Sequence, residues 1–491
     1  MNAAFDIIVA GGGINGTGIA RDAAGRGAKV LLLEAHDLAS GTSSASTKLV
    51  HGGLRYLEYR EFALVREALR ERETLWAIAP HIVRPIRFVL PHQPGQRPHW
   101  MLRMGLFLYD HMGTGRRMTG ARAIRLDTHP AGAALAPGLR KGFEYSDGWV
   151  DDARLVVLNA MDAAAHGASI RTRTPLLAAR REGALWVVET PSGPFTARML
   201  VNAAGPSADD LARLAGEEPA FALRRVRGSH IVVPRLFTHA YAYIFQLPDT
   251  RICFAIPYEG KFTLIGTTDR DHAGPLDHVT AAPDEVAYLC DAASRYFARK
   301  VAPGDVVRSY AGVRALVDDG SGRPEAATRG YRLSLSAPDR GAPLLGIWGG
   351  KITSYRHVAE CAVDRLAPLL PDALQGGHWT AHAPLPGGDF PVDGQAALIA
   401  GLARDYPFLS GDEARRIGRA YGTRARAWLG VAKDRGDLGQ SFGAGMSEAE
   451  VRYLVEHEWA QTAEDILWRR SKLGLHMKAA KQNALRDYLE A

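Results

Sequence analysis

Cysteine is scarce: there are three in 491 residues, Cys253, Cys290 and Cys361, far apart and with no C-x-x-C. That spacing argues against a metal cluster, an iron–sulfur centre, a c-type haem or a disulfide framework. It reads as reduced thiols in a cytoplasmic chain. Nowhere do 18 or more apolar residues follow one another, so no spanning helix is expected and any membrane contact must be peripheral. The chain runs straight into an apolar strand, "FDIIVAGGG", with no basic leader segment and cleavage site before it. Internal repeats and low-complexity tracts are lacking. So are concentrated Lys/Arg tracts and aromatic-interleaved basic strands, which argues against nucleic acid as a partner. The basic excess, Lys+Arg 60 against Asp+Glu 53 with an isoelectric point of about 9.3, is diffuse. It favours anionic partners without choosing between phosphates and a lipid surface. What is present, 46% hydrophobic and 23% charged residues, is ordinary globular material, enough for two or three domains.

The stretch "FDIIVAGGGINGTGIARDAAGRGAKVLLLEA" reads as strand, tight turn, helix and strand. Gly11, Gly13 and Gly16 form G-x-G-x-x-G directly after the apolar run, and Glu34 closes the second run. Gly11 permits the turn, Gly13 lets backbone approach a pyrophosphate, and Gly16 lets helix pack on strand. The helix N-terminus offers N–H groups and a partial positive charge to that pyrophosphate. A carboxylate at Glu34 would bind the adenosine ribose and disfavour a 2′-phosphate, so NADP is the least favoured dinucleotide.

Two later segments favour FAD over NAD. "ARMLVNAAGP", residues 197–206, is an apolar strand ending in small residues at Ala204 and Gly205. "LLGIWGGKITSYRHVAECAVDRL", residues 344–366, reads as a strand, the pair Gly349-Gly350, and an amphipathic helix whose first turn carries Lys351 and Thr353. A second glycine-started helix so far downstream suits a cofactor held at both ends, its positive end beside the flavin's pyrimidine edge.

Taken together, "GGGINGTGIARDAAGRG", "SGTSSASTKLVHGGLRYLE", "RGSHIVVP", "IGTTDRD", "AGVRALVDD", "GGKITSYR" and "HEWAQTAEDILWRRSKLGL" resemble the FAD-dependent glycerol-3-phosphate dehydrogenases of the aerobic, quinone-reducing type. The resemblance runs in order from about residue 5 to residue 476, with one visible departure, Ser207 where that family usually has tryptophan. It implies an α/β plus α chain: a discontinuous Rossmann-like FAD-binding domain, a mixed β-sheet substrate domain and a C-terminal helical domain. The expected division is FAD domain 1–90, 150–221 and 336–383, a substrate-domain or membrane-facing insertion 91–149, a β-rich substrate domain 222–335 and helices 384–491. "PLPGGDF", residues 384–390, reads as a linker between the last two.

For the cofactor the resemblance adds Thr42, Ser43, Ser46, Lys48, His51, Gly52, Gly350 and Ile352 to the residues above. Around the substrate it puts Arg55, Tyr56, Arg314, Arg329 and Lys351, a cationic cage for the phosphate of glycerol 3-phosphate, for which Arg is the bidentate binder. Oxidation at C2 sends a hydride to flavin N5 while the hydroxyl proton leaves to a base. His230 and His51 are both candidates, since an imidazole titrates near neutrality.

With no haem or cluster in the chain, electrons must leave to a diffusible acceptor, and the resemblance implies ubiquinone or menaquinone. The expected location is therefore the cytoplasmic face of the inner membrane, on anionic lipid, and the expected assembly a homodimer. "RPHWMLRMGLFLYDHMGTGRR", residues 97–117, mixes Trp100, Leu102, Leu106, Phe107, Leu108 and Tyr109 with flanking arginines. It reads equally as a lipid-facing surface or as a core helix with a basic rim. The rival functions are an oxygen-using glycerol-3-phosphate oxidase and a flavin oxidase of amines or hydroxy acids, the latter needing a carboxylate clamp in place of a phosphate cage.

Overall fold

The computed structural model describes residues 4–57, 60–93, 96–113, 117–249, 251–318, 330–339 and 341–491, the Arg55 side chain excepted. The β-branched run Phe5–Ala10 forms a strand buried along its last four residues, as a strand covered on both faces must be. It lies parallel between Val30–Leu33 and Phe195–Asn202. Ser169–Arg171 and Leu344–Gly349 extend the sheet in parallel at its two ends, and Tyr331–Ser336 closes it antiparallel on Leu344–Gly349. Helices Ile14–Gly25, Asp152–Ala165 and Tyr355–Leu366 cover it.

The second sheet is mixed, as expected. Its long strands Leu223–Pro234 and Arg308–Val317 run antiparallel, and Phe262–Gly266 and Ile252–Tyr258 follow in antiparallel order. Ala242–Gln246 pairs parallel with Val83–His92, which pairs with Lys141–Val150. Sheet membership thus differs from the expected division at two borders and at one strand inside 1–90. Leu49–Val50 and Val83–His92 belong to the second sheet, and Tyr331–Ser336 to the first.

Residues 384–390 are no loose linker. A Cβ on Gly387 would stand 2.2 Å from the Tyr421 carbonyl oxygen, and one on Gly388 2.4 Å from that of Ile78, so the glycines are there to let backbones touch. The C-terminal helices accordingly share one core with the first sheet, in which Ile7, Val156 and Tyr355 pack with Trp428, Leu454 and Ile466. The helix expected to begin at Lys351 begins later: Ile352–Ser354 is a 3-10 turn, and the α-helix starts at Tyr355.

Candidate active site

The glycine motif makes the tight turn and the close helix–strand packing that its spacing predicts. Gly11 has φ +116°, and a Cβ there would lie 2.5 Å from the Ala203 carbonyl oxygen. A Cβ on Gly16 would lie 1.8 Å from the Gly11 carbonyl oxygen, and one on Gly13 3.2 Å from Ser43 Oγ. Backbone therefore crosses backbone in a cradle that any larger residue would fill. The helix that follows has no acidic residue in its first turn, which leaves its positive end uncompensated for an anion. Ser43 Oγ accepts the Ile14 N–H at 3.0 Å. The Glu34 carboxylate accepts from Gly12 N at 2.6 Å and from His36 N at 2.8 Å. Burial pushes its pKa up, and those two N–H groups pull it back.

Asn15 joins the two glycine turns, donating from Nδ2 to the Gly349 carbonyl at 3.4 Å. Gly350, at φ +99°, lies beside it. The cradle at one turn and the open backbone at the other fit a dinucleotide held at both ends. Ala204 N is held by Asn202 Oδ1 at 3.3 Å, and the Thr42 hydroxyl donates to the Val313 carbonyl. The side chains of Ser46 and Lys48, expected at the cofactor, are committed to Asp152: Ser46 Oγ at 2.7 Å and Lys48 Nζ at 2.8 Å, both around a fully buried carboxylate.

Facing this cradle, the second sheet carries a lane of glycines. Register places Tyr310, His230, Gly266 and Phe254 in one row across four strands, and Gly312 opposite Gly228 in the same two strands as Tyr310 and His230. Opposed residues share a face, and positions two apart return to it, so Arg314 stands on the same face beyond Gly312. Its Nη2 meets Thr267 Oγ1 at 3.0 Å, and Nη1 pairs with the Asp269 carboxylate. A Cβ on Gly228 would come within 2.7 Å of Nη2, and one on Gly312 within 2.6 Å of Ala45 Cβ. The glycines let the guanidinium lie across the sheet and let the 42–45 loop touch it.

His230 is 0% exposed, hydrogen-bonded through Nε2 to Thr47 Oγ1 at 2.9 Å and stacked on Tyr310 at 4.9 Å between centroids. Burial, and then the charges of Arg314 and Lys48, hold its pKa well below 6.5, so the imidazole is neutral. His51 is half-buried, its N–H donating to Thr353 Oγ1 at 3.2 Å and its ring edge-on to Phe254. Lys351 Nζ sits 3.6 Å from the centre of the Tyr56 ring. Arg329 and the Arg55 side chain lie outside the described residues. Sequence reasoning missed Asn15, Thr47, Gly228, Gly312, Thr267 and Asp269. Thr267 and Asp269 stood inside a segment already singled out, "IGTTDRD", and Gly312 stood two residues before Arg314 on an alternating strand.

The profile of the family described as FAD dependent oxidoreductase matches residues 6–356, and that of the C-terminal domain of alpha-glycerophosphate oxidase matches residues 378–490. The chain belongs to the FAD-dependent oxidoreductases, in the branch of the glycerol-3-phosphate dehydrogenases. It is 50% identical to a glycerol-3-phosphate dehydrogenase of Pseudomonas aeruginosa, over 99% of this chain and 95% of the relative. It is also 50% identical to a D-erythritol 1-phosphate dehydrogenase of Brucella abortus, over 99% and 97%. The solved glycerol-3-phosphate dehydrogenase of Bacillus halodurans complexed with FAD superimposes with a TM-score of 0.76 at 26% identity, covering 99% of this chain and 94% of that one.

Proposed function

We propose that the chain oxidises sn-glycerol 3-phosphate to dihydroxyacetone phosphate and passes the electrons to a membrane quinone. The observation that carries this reading is the shared face of Arg314 and His230, separated by the Gly228–Gly312 pair. Oxidation of a phosphorylated alcohol needs a phosphate-binding fork and a proton acceptor side by side, and this shared face supports giving Arg314 and His230 those roles. FAD, held in the facing cradle, would supply the hydride acceptor for oxidation at C2. Arg314 and Lys351, with Arg55 and Arg329, hold the phosphate, and Tyr56 closes against Lys351. Thr267 and Asp269 keep the Arg314 fork in plane. His230, neutral before substrate arrives, takes the C2 hydroxyl proton, and the carbonyl forms as that proton and the hydride leave. His51 is the alternative acceptor. Gly11, Gly13, Gly16 and Glu34, with the Gly349-Gly350 turn and the Thr353 region, hold the cofactor.

The route to a quinone runs through helix His99–Met112. It presents Trp100 (63% exposed), Phe107 (59%), Met101, Met104 and Leu108 outward. Among the described residues no helix is long and apolar enough to cross a membrane, so this surface would rest in the lipid interface. The net charge of +7 adds attraction to anionic lipid. A homodimer on the inner face of the membrane belongs to the same reading, as does the division into FAD, substrate and helical domains with the two borders moved as the sheets require.

The test is spectroscopic. Purified protein should release FAD on denaturation, and glycerol 3-phosphate should bleach the flavin band anaerobically. A soluble quinone analogue should restore the band faster than oxygen yields peroxide; the reverse order would favour the oxidase. The equal identity to a D-erythritol 1-phosphate dehydrogenase supports a second reading, a longer polyol phosphate. The ratio of kcat/KM for the two substrates decides between them.

A further inference from the structure

The loop 51–57 carries His51, Arg55 and Tyr56 yet contains two glycines, which give it no side chains of their own to anchor it there. Tyr56 folds back on Gly53, whose φ is +78° and where a Cβ would meet the ring at 2.0 Å. Gly52 is gripped between Leu69 and the Tyr109 ring, which a Cβ would meet at 2.7 and 2.8 Å. Its N–H donates to Tyr109 Oη at 2.8 Å, and the same hydroxyl donates to Asp147 Oδ2 at 2.7 Å. Arg72 Nη1 meets Asp147 Oδ1 at 3.1 Å. Tyr109 and Asp147 are each 2% exposed. Three elements thus converge on one backbone amide: helix His99–Met112, strand Lys141–Val150 and helix Phe62–Ile78.

We propose that Tyr109 is a positioning residue for the substrate loop: its hydroxyl, aimed by Asp147, holds the Gly52 N–H and thereby the places of His51 and Tyr56. The inference rests on the reading that this loop receives the substrate. The carboxylate accepts the hydroxyl's hydrogen bond, which leaves the oxygen's lone pairs facing the amide. A buried N–H needs an acceptor, and here the acceptor comes from outside the loop. Burial and the neighbouring Asp147 keep the Tyr109 hydroxyl well above its ordinary pKa, so it works by position and not by proton transfer.

The experiment compares Tyr109→Phe and Asp147→Asn holoenzymes with wild type. In Tyr109→Phe the KM for glycerol 3-phosphate should rise about tenfold, as for one lost hydrogen bond, with kcat within about twofold and flavin content unchanged. Hydrogen exchange in peptide 50–57 should quicken while strand 5–10 stays protected. Asp147→Asn keeps an acceptor for the hydroxyl but drops the charge, and should move the same quantities less, about threefold in KM. Faster exchange with unaltered KM would make the contact merely structural and overturn the proposal. So would a joint fall of kcat, flavin content and stability in both variants. If wild-type flavin does not bleach with glycerol 3-phosphate, the substrate reading fails separately. Unchanged exchange in Tyr109→Phe overturns the positioning role in either case.

Discussion

Arg314 is the residue whose role is easiest to break cleanly. It lies over Gly228 and is aligned by Thr267 and Asp269, so its fork is oriented before substrate arrives. Losing one charge-assisted contact to a phosphate costs about 1.5–3 kcal/mol. Arg314→Ala should therefore raise KM roughly 10- to 150-fold, and Arg314→Lys should recover little, because an ammonium cannot serve three planar partners. Steady-state kinetics with glycerol 3-phosphate, and with glycerol as a very poor substrate, checks this; wild-type kinetics in the alanine variant would remove Arg314 from the cage. If His230 is the base, it sets the pH dependence. Its folded pKa is lowered below 6.5 by burial and by Arg314 and Lys48, and only the neutral ring accepts a proton. Activity is then full above the depressed pKa and falls as pH drops through it, so the acidic limb of kcat/KM should lie below pH 6.5. A bound phosphate dianion favours the imidazolium, so the limb of kcat should lie at higher pH than that of kcat/KM. His230→Asn should abolish the limb. If it persists there and vanishes in His51→Asn, His51 is the base. Motif matching reached Arg314, His230 and Lys351 in the sequence. It could not reach the Gly228–Gly312 floor, because which strands pair, and in what register, is a long-range outcome with no local signal.

Helix His99–Met112 has one buried and one exposed apolar side. Leu102, Leu106 and Tyr109, spaced at i, i+4 and i+7, pack inward, while Trp100, Met101, Met104, Phe107 and Leu108 face out. The sequence reading named Trp100, Leu102, Leu106, Phe107, Leu108 and Tyr109 together and left lipid surface and core helix open, although the 3.6-residue period separates the inward from the outward residues. The first turn after Gly350 was a harder case. The apolar spacing of the helix is right, but a 3-10 turn over Ile352–Ser354 differs from an α-turn only in bonding three positions along instead of four, and helix ends are poorly marked in sequence. If the outward face of the 99–112 helix meets lipid, replacing Trp100 and Phe107 together by serine should move the protein from the membrane pellet to the supernatant. The melting temperature should change by no more than about a degree, since surface substitutions cost little. Retention in the pellet, released instead by high salt, would mean that the basic surface alone holds the protein to anionic lipid.

At the scale of the whole molecule, the C-terminal helices bear on the cofactor. The π-helical turn Asp465–Arg470 sends Arg470, 0% exposed, to both oxygens of Asp37 at 2.7 and 2.8 Å and to the Glu458 carbonyl at 2.6 Å. Arg469 reaches the same Asp37 at 2.5 Å, and Arg154 pairs with Glu458. Asp37 lies three residues beyond Glu34, in the turn whose His36 N–H holds the Glu34 carboxylate. A helical region that reads in sequence as an appended domain is therefore wired into the Glu34 turn, and one continuous core runs beneath the helices and the first sheet. Sequence pattern gave those helices their places but not this attachment, since Asp37 and Arg470 are separated by 433 positions. Breaking a buried ion pair from one side leaves an uncompensated charge and costs about 3–5 kcal/mol. Arg470→Met should accordingly lower the melting temperature by several degrees and weaken FAD retention as well, because the Glu34 turn loses its brace. Unfolding followed by flavin fluorescence and by far-UV circular dichroism should remain one coincident transition. Two separated transitions, with the flavin released only at the later one, would show the helices to be an independent unit and the brace to be without effect on the cofactor.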